Sequence, residues 1–238
     1  MRDTAVKAMF ETIAGSYDFQ NSFLSLGRDI SWRKALARSI RADERSVVVD
    51  VAVGTAEVAL AIGRRHPLSR VIGVDFSPAM LAVGRKKILT RGLTDRISLT
   101  AGDGRRLPLR DASADAVTIA FGIRNIEERH LALAEFYRVL KPGGQLLIME
   151  FSYPDGPLLK ALYRFYFDRI LPPVGNWLSR TDYAYGYLAD SVDRFPVDAE
   201  FLHEIGRAGF ERLAVTKLTF GIAKIFHGFK GTHESQLA

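Results

Sequence analysis

The sequence predicts an α/β fold: a mostly parallel, doubly wound sheet closed by an antiparallel hairpin. Short apolar runs alternate with helix-period segments between residues 47 and 151. Such alternation puts helices on both faces of a parallel sheet, whose buried strands read as continuous apolar runs. The last two strand-like runs are joined only through Thr219-Phe220-Gly221. A connection that short cannot cross over the sheet, so this pair runs antiparallel. The length, 238 residues, suits one α/β domain with additions.

Each element follows from local chemistry. Residues 4–41 read as helical, interrupted at Tyr17-Asp18 and Asn21. Val47–Ala52 is a buried strand and Glu57–Arg65 a helix. Val71–Asp75 is the second strand, after which Ser77 as N-cap and Pro78 at the first helical position open Pro78–Leu89. Ile97–Ala101 and Ala116–Phe121 are strands three and four. Glu127–Leu140 is a helix stopped by Lys141-Pro142-Gly143-Gly144, with Glu127-Glu128 as an acidic first turn favoured by the helix dipole. Gln145–Phe151 is the fifth strand. From Tyr153 to Tyr187 the composition shifts to Tyr, Phe, Leu and Pro, which reads as an inserted helical lid. Asp198–Ala208 is a helix ended by Gly209, and Arg212–Leu218 and Ile222–His227 form the hairpin. The chain thus divides into a helical cap (1–43), a core (44–151), a lid insertion (152–197) and a C-terminal helix with hairpin (198–238).

Composition narrows the chemistry. Hydrophobic residues make up 47%, enough for a sizeable core and too many for a disordered chain. With no cysteine there is no disulfide, thiolate nucleophile or Cys-ligated metal, which fits a reducing cytoplasm. The N-terminus lacks an apolar signal segment, and no run approaches the roughly 20 apolar residues of a membrane span. The net charge of +6 permits attraction to anionic lipid or an acidic metabolite. No basic nucleic-acid module is present, so nucleic acid is not an expected partner. The five histidines share no ligand spacing and no metal is expected; Gly-x-Ser-x-Gly, P-loop and His-Glu-x-x-His motifs are absent.

The candidate site lies where strands end, since open α/β sheets bind ligands beyond their carboxyl edges. The first strand ends Val49-Asp50-Val51-Ala52-Val53-Gly54-Thr55, with one glycine where a dinucleotide site wants three. Asp75 ends the second strand about 20 residues on, the place for an acid that takes ribose hydroxyls. Asp103, in Gly102-Asp103-Gly104, is a third acid on the same edge and could accept from an adenine amino group. One glycine and three acids suit S-adenosylmethionine, which carries a sulfonium and an amino-acid head but no phosphate, better than NAD. The fourth strand ends Ala120-Phe121-Gly122-Ile123-Arg124-Asn125, delivering a guanidinium and a carboxamide to the same edge. Taken alone, that pair also reads as a polar turn.

Over nearly its whole length the chain resembles the ubiquinone/menaquinone biosynthesis C-methyltransferases. The likeness runs from Met9-Phe10, Tyr17-Asp18 and Asn21 through Leu24-Ser25-Leu26-Gly27, Trp32-Arg33, Gly54-Thr55, Asp75, Ser77 and Met80-Leu81. It is most particular at Phe121-Gly122-Ile123-Arg124-Asn125. It continues in Arg138-Val139-Leu140-Lys141-Pro142-Gly143-Gly144, Glu150-Phe151-Ser152, Tyr187-Leu188-Ala189-Asp190-Ser191 and Phe195-Pro196. The resemblance implies a Rossmann-like class I S-adenosylmethionine-dependent methyltransferase with a seven-stranded sheet, acting on the ring of demethylmenaquinol or a polyprenylated benzoquinol. It further implies cofactor contacts from Asp50, Gly54, Thr55, Asp75, Phe76, Asp103, Gly104 and Ala120, and catalytic roles for Arg124, Asn125 and Tyr17. Two residues depart from the family pattern. Ala56 stands where a glycine is usual, so that either its methyl crowds the methionine part of the cofactor or the loop has rearranged around it, and Ala120 replaces a common Ser.

In this reading Arg124 stabilises a phenolate, Asn125 positions a hydroxyl and Tyr17 closes over the ring; Tyr17 reads equally well as helix packing. The lid, with Leu158, Leu159, Leu162, Tyr163, Phe165, Tyr166, Phe167 and Ile170, reads as a tunnel for a polyprenyl tail at the inner face of the membrane. Lys160, Arg164 and Arg169 are placed to meet headgroups. Core packing or a homodimer contact are the other readings of that segment. A methyltransferase of another small aromatic, and a non-catalytic quinone-binding protein, remain the alternative functions.

Overall fold

A computed structural model describes residues 11–12, 14–15, 17–18, 22, 25–43, 45–165, 169 and 190–232. Met9-Phe10, Asn21, Leu24, Tyr187-Leu188-Ala189 and most of the lid lie outside them. The order is α1 (Arg28–Ser39), β1 (Val47–Val51), α2 (Glu57–Arg65), β2 (Arg70–Asp75), α3 (Pro78–Thr90), β3 (Ile97–Ala101) and β4 (Ala114–Ala120). A 3-10 turn (Ile123–Asn125), α4 (Arg129–Val139), β5 (Leu140–Phe151), α5 (Pro157–Phe165), α6 (Asp198–Arg207), β6 (Phe210–Leu218) and β7 (Ala223–Lys230) follow. The seven strands form one sheet in the order β3-β2-β1-β4-β5-β7-β6. The first five are parallel; β7 runs antiparallel between β5 and β6, as the short Thr219–Gly221 connection requires.

The strand order reverses between β1 and β4, and there a crevice opens at their carboxyl ends. Two apolar layers hold the edge in place. One face of the sheet buries Trp32, Leu36, Leu60, Ile62 and Leu81 from α1 to α3. The other buries Leu133, Phe136, Phe201 and Ile205 from α4 and α6. Helix α1 is anchored at both ends. Ser25 Oγ accepts from the Asp29 amide at 3.1 Å, and Gln145 of β5 donates to the Ser39 carbonyl at 3.1 Å. Ser77 caps α3 as expected, its hydroxyl accepting from Met80 N.

Of the boundaries that differ from expectation, two bear on the packing of α4 and β5. Glu127 and Glu128 precede α4 rather than forming its first turn; Glu128 is the N-cap and pairs with Arg105 at 3.1 Å. Lys141-Pro142-Gly143-Gly144 does end the helix, but it lies inside β5 as an irregularity, because Ala114 pairs Leu140 while Ala116 pairs Gln145. Edge strand β6 is also irregular. Its register on β7 shifts between Glu211 and Ala214, Arg212 takes a φ of 50°, and the Arg212 guanidinium lies 4.4 Å from the Phe229 ring.

Candidate active site

The β1–α2 loop is built to turn sharply. Ala52, Gly54 and Ala56 take φ values of 51°, 55° and 69°. Only Gly54 does so without steric cost, because an alanine in the left-handed region crowds its own carbonyl. The turn aims the Gly54 amide at the Asp75 carboxylate, 2.8 Å away at the end of β2, and the other Asp75 oxygen accepts from the Ser77 amide at 2.9 Å. Two strand ends are thereby locked together through one carboxylate.

The turn after β4 is equally constrained. Phe121 has a φ of 57°, an outlier for a bulky side chain. It is held by stacking on Phe151 with ring centroids 4.2 Å apart, by Trp32 at 6.2 Å, and by its carbonyl accepting from Arg124 at 2.5 Å. Gly122 is obligatory, since a Cβ there would sit 2.7 Å from the Ala52 Cβ of the first loop.

These turns enclose a cavity of about 440 Å³, within the usual range for small-ligand sites. Its wall includes Tyr17, Gly54, Asp75, Phe76, Met80, Asp103, Gly104, Ala120, Phe121 and Asn125. A narrow recess continues past Tyr17 and Ala120 to Asp50, Arg33 and Thr55. Of the expected cofactor residues, Gly54, Asp75, Phe76, Asp103, Gly104 and Ala120 line the cavity, and Asp50 and Thr55 line the recess. Tyr17 and Asn125 are on the cavity wall as well.

Electrostatics distinguish the three acids. Burial pushes Asp50 up to about 7, assisted by the like charge of Asp75 and opposed by the Thr118 hydroxyl, which donates to Asp50 Oδ1 at 2.8 Å, and by Arg33. Asp50 Oδ2 is buried with no hydrogen-bond partner of ordinary geometry among the described residues, though the Ala59 amide lies close enough to oppose the upward shift. Burial also raises Asp75, against the pull of the Ser77 and Gly54 amides. Asp103 is lowered by Arg105, which grips both its oxygens at 3.1 and 2.7 Å.

The position of Arg124 bears directly on its expected role. Arg124 was expected beside the crevice, stabilising a phenolate. Its guanidinium instead lies behind the wall, 7% exposed, paired with the buried Glu150 at 2.9 and 3.0 Å and donating to Phe121 O and Ser191 Oγ. Burial raises Glu150, and Arg124 pulls it back. The physical reason is the single turn of 3-10 helix, which points Asn125 to the cavity and Arg124 back over β5. Of the two readings of Ala56, the structure favours a rearranged loop over crowding of the cofactor. The Ala56 methyl is fully buried, facing α3 at Gly84 rather than the cavity. Thr55 is buried, and its hydroxyl donates to Asp18 at 2.5 Å.

Sequence reasoning passed over Arg33, Arg105 and Lys87. Arg105, two residues after Asp103, was locally legible; Arg33 and Lys87 reach the site only through the packing of α1 and α3.

Comparison with known proteins settles what kind of fold this crevice belongs to. The sequence model of the ubiE/COQ5 methyltransferase family matches residues 1–230. The chain belongs to that family. Within it, the chain is 45% identical to the ubiquinone/menaquinone biosynthesis C-methyltransferase UbiE of Geobacter sulfurreducens over 227 residues, 95% of this chain and 88% of that protein. It is 40% identical to the demethylmenaquinone methyltransferase of Streptomyces avermitilis over 225 residues, 94% of each. Among solved structures, a SAM-dependent methyltransferase of Thermotoga maritima superposes with a TM-score of 0.65 at 21% identity, over 94% of this chain and 99% of that one. The fold of this ubiE/COQ5 member is therefore that of class I methyltransferases, with S-adenosylmethionine as cofactor. The residues present fit that group. The recess offers a buried carboxylate with an orphaned oxygen to an ammonium, and Asp75, each of whose oxygens can accept more than one hydrogen bond, lines the cavity for hydroxyls.

Proposed function

We propose that this chain methylates a ring carbon of a polyprenylated quinol, a step of isoprenoid quinone biosynthesis. The observation that carries the reading is the cavity that runs from Asp103, past Asp75, to the recess at Asp50, with Tyr17 and Asn125 on its wall. S-adenosylmethionine supplies an electrophilic methyl group when bound there. Asp50 would hold its ammonium, Asp75 its ribose hydroxyls, and Asp103 with Gly104 its adenine.

The remaining work belongs to this chain's own residues. A quinol ring carbon becomes nucleophilic as a hydroxyl loses its proton, and phenols titrate near 10. Asn125 is placed to hold that hydroxyl, and Tyr17 to cover the ring and exclude water. Phe121 gives the ring an apolar neighbour. Arg124 acts through them, fixing the Phe121 carbonyl and hence the turn that carries Asn125. Alignment of donor and acceptor is a large part of the rate gain.

In this proposal the tail leaves toward the lid. Leu158 and Phe165 of α5 are exposed, with Arg164 beside them. In this proposal α5 meets the membrane surface that delivers the quinol, and no helix among the described residues is long and apolar enough to cross a membrane. The side chains of Lys160 and Leu162, and residues 166–168 and 170–189, lie outside the description. A homodimer through the same lid is the competing use of that apolar surface.

The test is incubation with labelled S-adenosylmethionine and reduced demethylmenaquinone, with mass analysis of the ring. Gain of one methyl on a ring carbon is the expected result. Methylation of a tail-free aromatic alone would favour the other small-aromatic reading, and cofactor binding without turnover of either would overturn the enzyme assignment.

A further inference from the structure

Outside the expected contacts, one side-chain cluster joins the N-terminal segment to the cofactor loop. Asp18 bridges two elements. One oxygen accepts from the Thr55 hydroxyl at 2.5 Å, and the other is paired with the Lys87 ammonium of α3. Lys87 also donates to Glu57 at 2.9 Å, and Arg91 stands 3.7 Å from the same carboxylate. The Lys87 side chain is 18% exposed and Asp18 38%, so the pairing is partly shielded from water. Tyr17, next to Asp18, borders both the cavity and the recess, and its ring comes within 3.9 Å of the Cβ position at Gly54. Ala14 and Tyr17 pack on Met80 and Ala79 of α3.

This arrangement places Tyr17 and Asp18 against the cofactor loop, beside the apolar contacts of Ala14 and Tyr17 with α3. Thr55 starts the turn into α2, Glu57 opens α2, and Lys87 sits in the last turn of α3. Asp18 therefore ties the N-terminal segment across both helices that flank the recess. A ligand with its ammonium at Asp50 would lie beside Tyr17, which borders both the recess and the cavity.

We propose that Asp18, Thr55, Lys87 and Glu57 form a latch, with Lys87 as its positioning residue, that holds Tyr17 over the cofactor and sets the rate of cofactor exchange. The chemistry would favour this in a methyltransferase. The cofactor must be retained during transfer and released afterwards, and an ion pair at partial exposure opens more readily than a buried apolar seam. The inference rests on S-adenosylmethionine occupying the cavity, and part of its test needs no cofactor.

Lys87→Met keeps the aliphatic stem and removes the charge. In the free protein it should speed hydrogen exchange of the Tyr17 and Asp18 amides by about five- to tenfold, the loss expected for a half-exposed charged hydrogen bond. Release of S-adenosylhomocysteine, followed by stopped-flow, should accelerate by a similar factor, and high salt should shrink the gap from wild type. Lys87→Arg should restore most of both, and Asp18→Asn, which breaks the same tie from its other end, should reproduce Lys87→Met, with a thermal scan checking that both variants keep wild-type stability. Unchanged exchange in the free protein would overturn the latch whatever the cofactor does. Faster exchange with unchanged release would overturn its role in gating.

Discussion

Asp50 is a carboxyl whose behaviour depends on what enters the recess. A group whose folded pKa lies above its unfolded value stabilises the fold most below the unfolded value. That contribution is lost as pH rises through the folded value. For Asp50 the window runs from the ordinary value of 3.8 to about 7, so the free protein should lose stability across it. An ammonium delivered to the orphaned oxygen reverses the preference. Cofactor affinity should therefore rise between about pH 5.5 and 7.5, below the range where the cofactor's own amino group titrates. Calorimetry at several pH values checks this, and Asp50→Asn should flatten the profile. Asp75 has a different part. Asp75→Ala removes the acceptor of the Gly54 amide together with a ribose acceptor, and should weaken S-adenosylmethionine binding by roughly 1.5–3 kcal/mol per charged hydrogen bond lost. NAD should not compete in the same titration.

Among the elements, α2 and α3 come closest to overpacking at a pair of small residues, Ala56 and Gly84. Ala56 precedes α2 at a φ of 69°, and its Cβ would lie 3.2 Å from a Cβ at Gly84 of α3. Replacing Ala56 by Gly relieves a left-handed alanine, about 1–2 kcal/mol. It also removes a buried methyl worth about 0.8 kcal/mol and frees the unfolded chain by a comparable amount. The opposed effects should leave stability within about 1 kcal/mol of wild type by urea unfolding. Cofactor affinity should not move, because the methyl faces α3. Gly84→Ala should cost about 1–3 kcal/mol by overpacking against Leu99 and Ala56, and the cost should fall in the Ala56→Gly background. The alternation of apolar runs and capped helices was plain in the sequence, and α2 and β3 begin and end where it placed them. The positive φ at Ala56 was foreseen as a condition, but the direction of its methyl was not. Which way a Cβ points after a left-handed residue depends on the helix packed beside it.

At the scale of the whole molecule, Arg124 ties three distant stretches: the turn after β4, Glu150 in β5, and Ser191 before α6. Removing one partner of a buried ion pair leaves the other charge stranded. Arg124→Met should therefore lose about 3–5 kcal/mol of stability by urea unfolding, and Arg124→Met with Glu150→Leu should recover much of it. A stable single variant with lost turnover would instead return Arg124 to the substrate. The cavity's acids were legible because each ends a strand, a position fixed by the fold alone. The Arg124 pairing was not, since Glu150 and Arg124 meet only after β4 and β5 align. The irregular register of β6 carries a consequence of its own. A strand with one kinked residue and a guanidinium laid across its neighbour's ring offers no straight row of amides to a second sheet. Two copies should not zip β6 to β6 along its whole length, so crowding at high concentration should yield no fibrils nucleated from this edge.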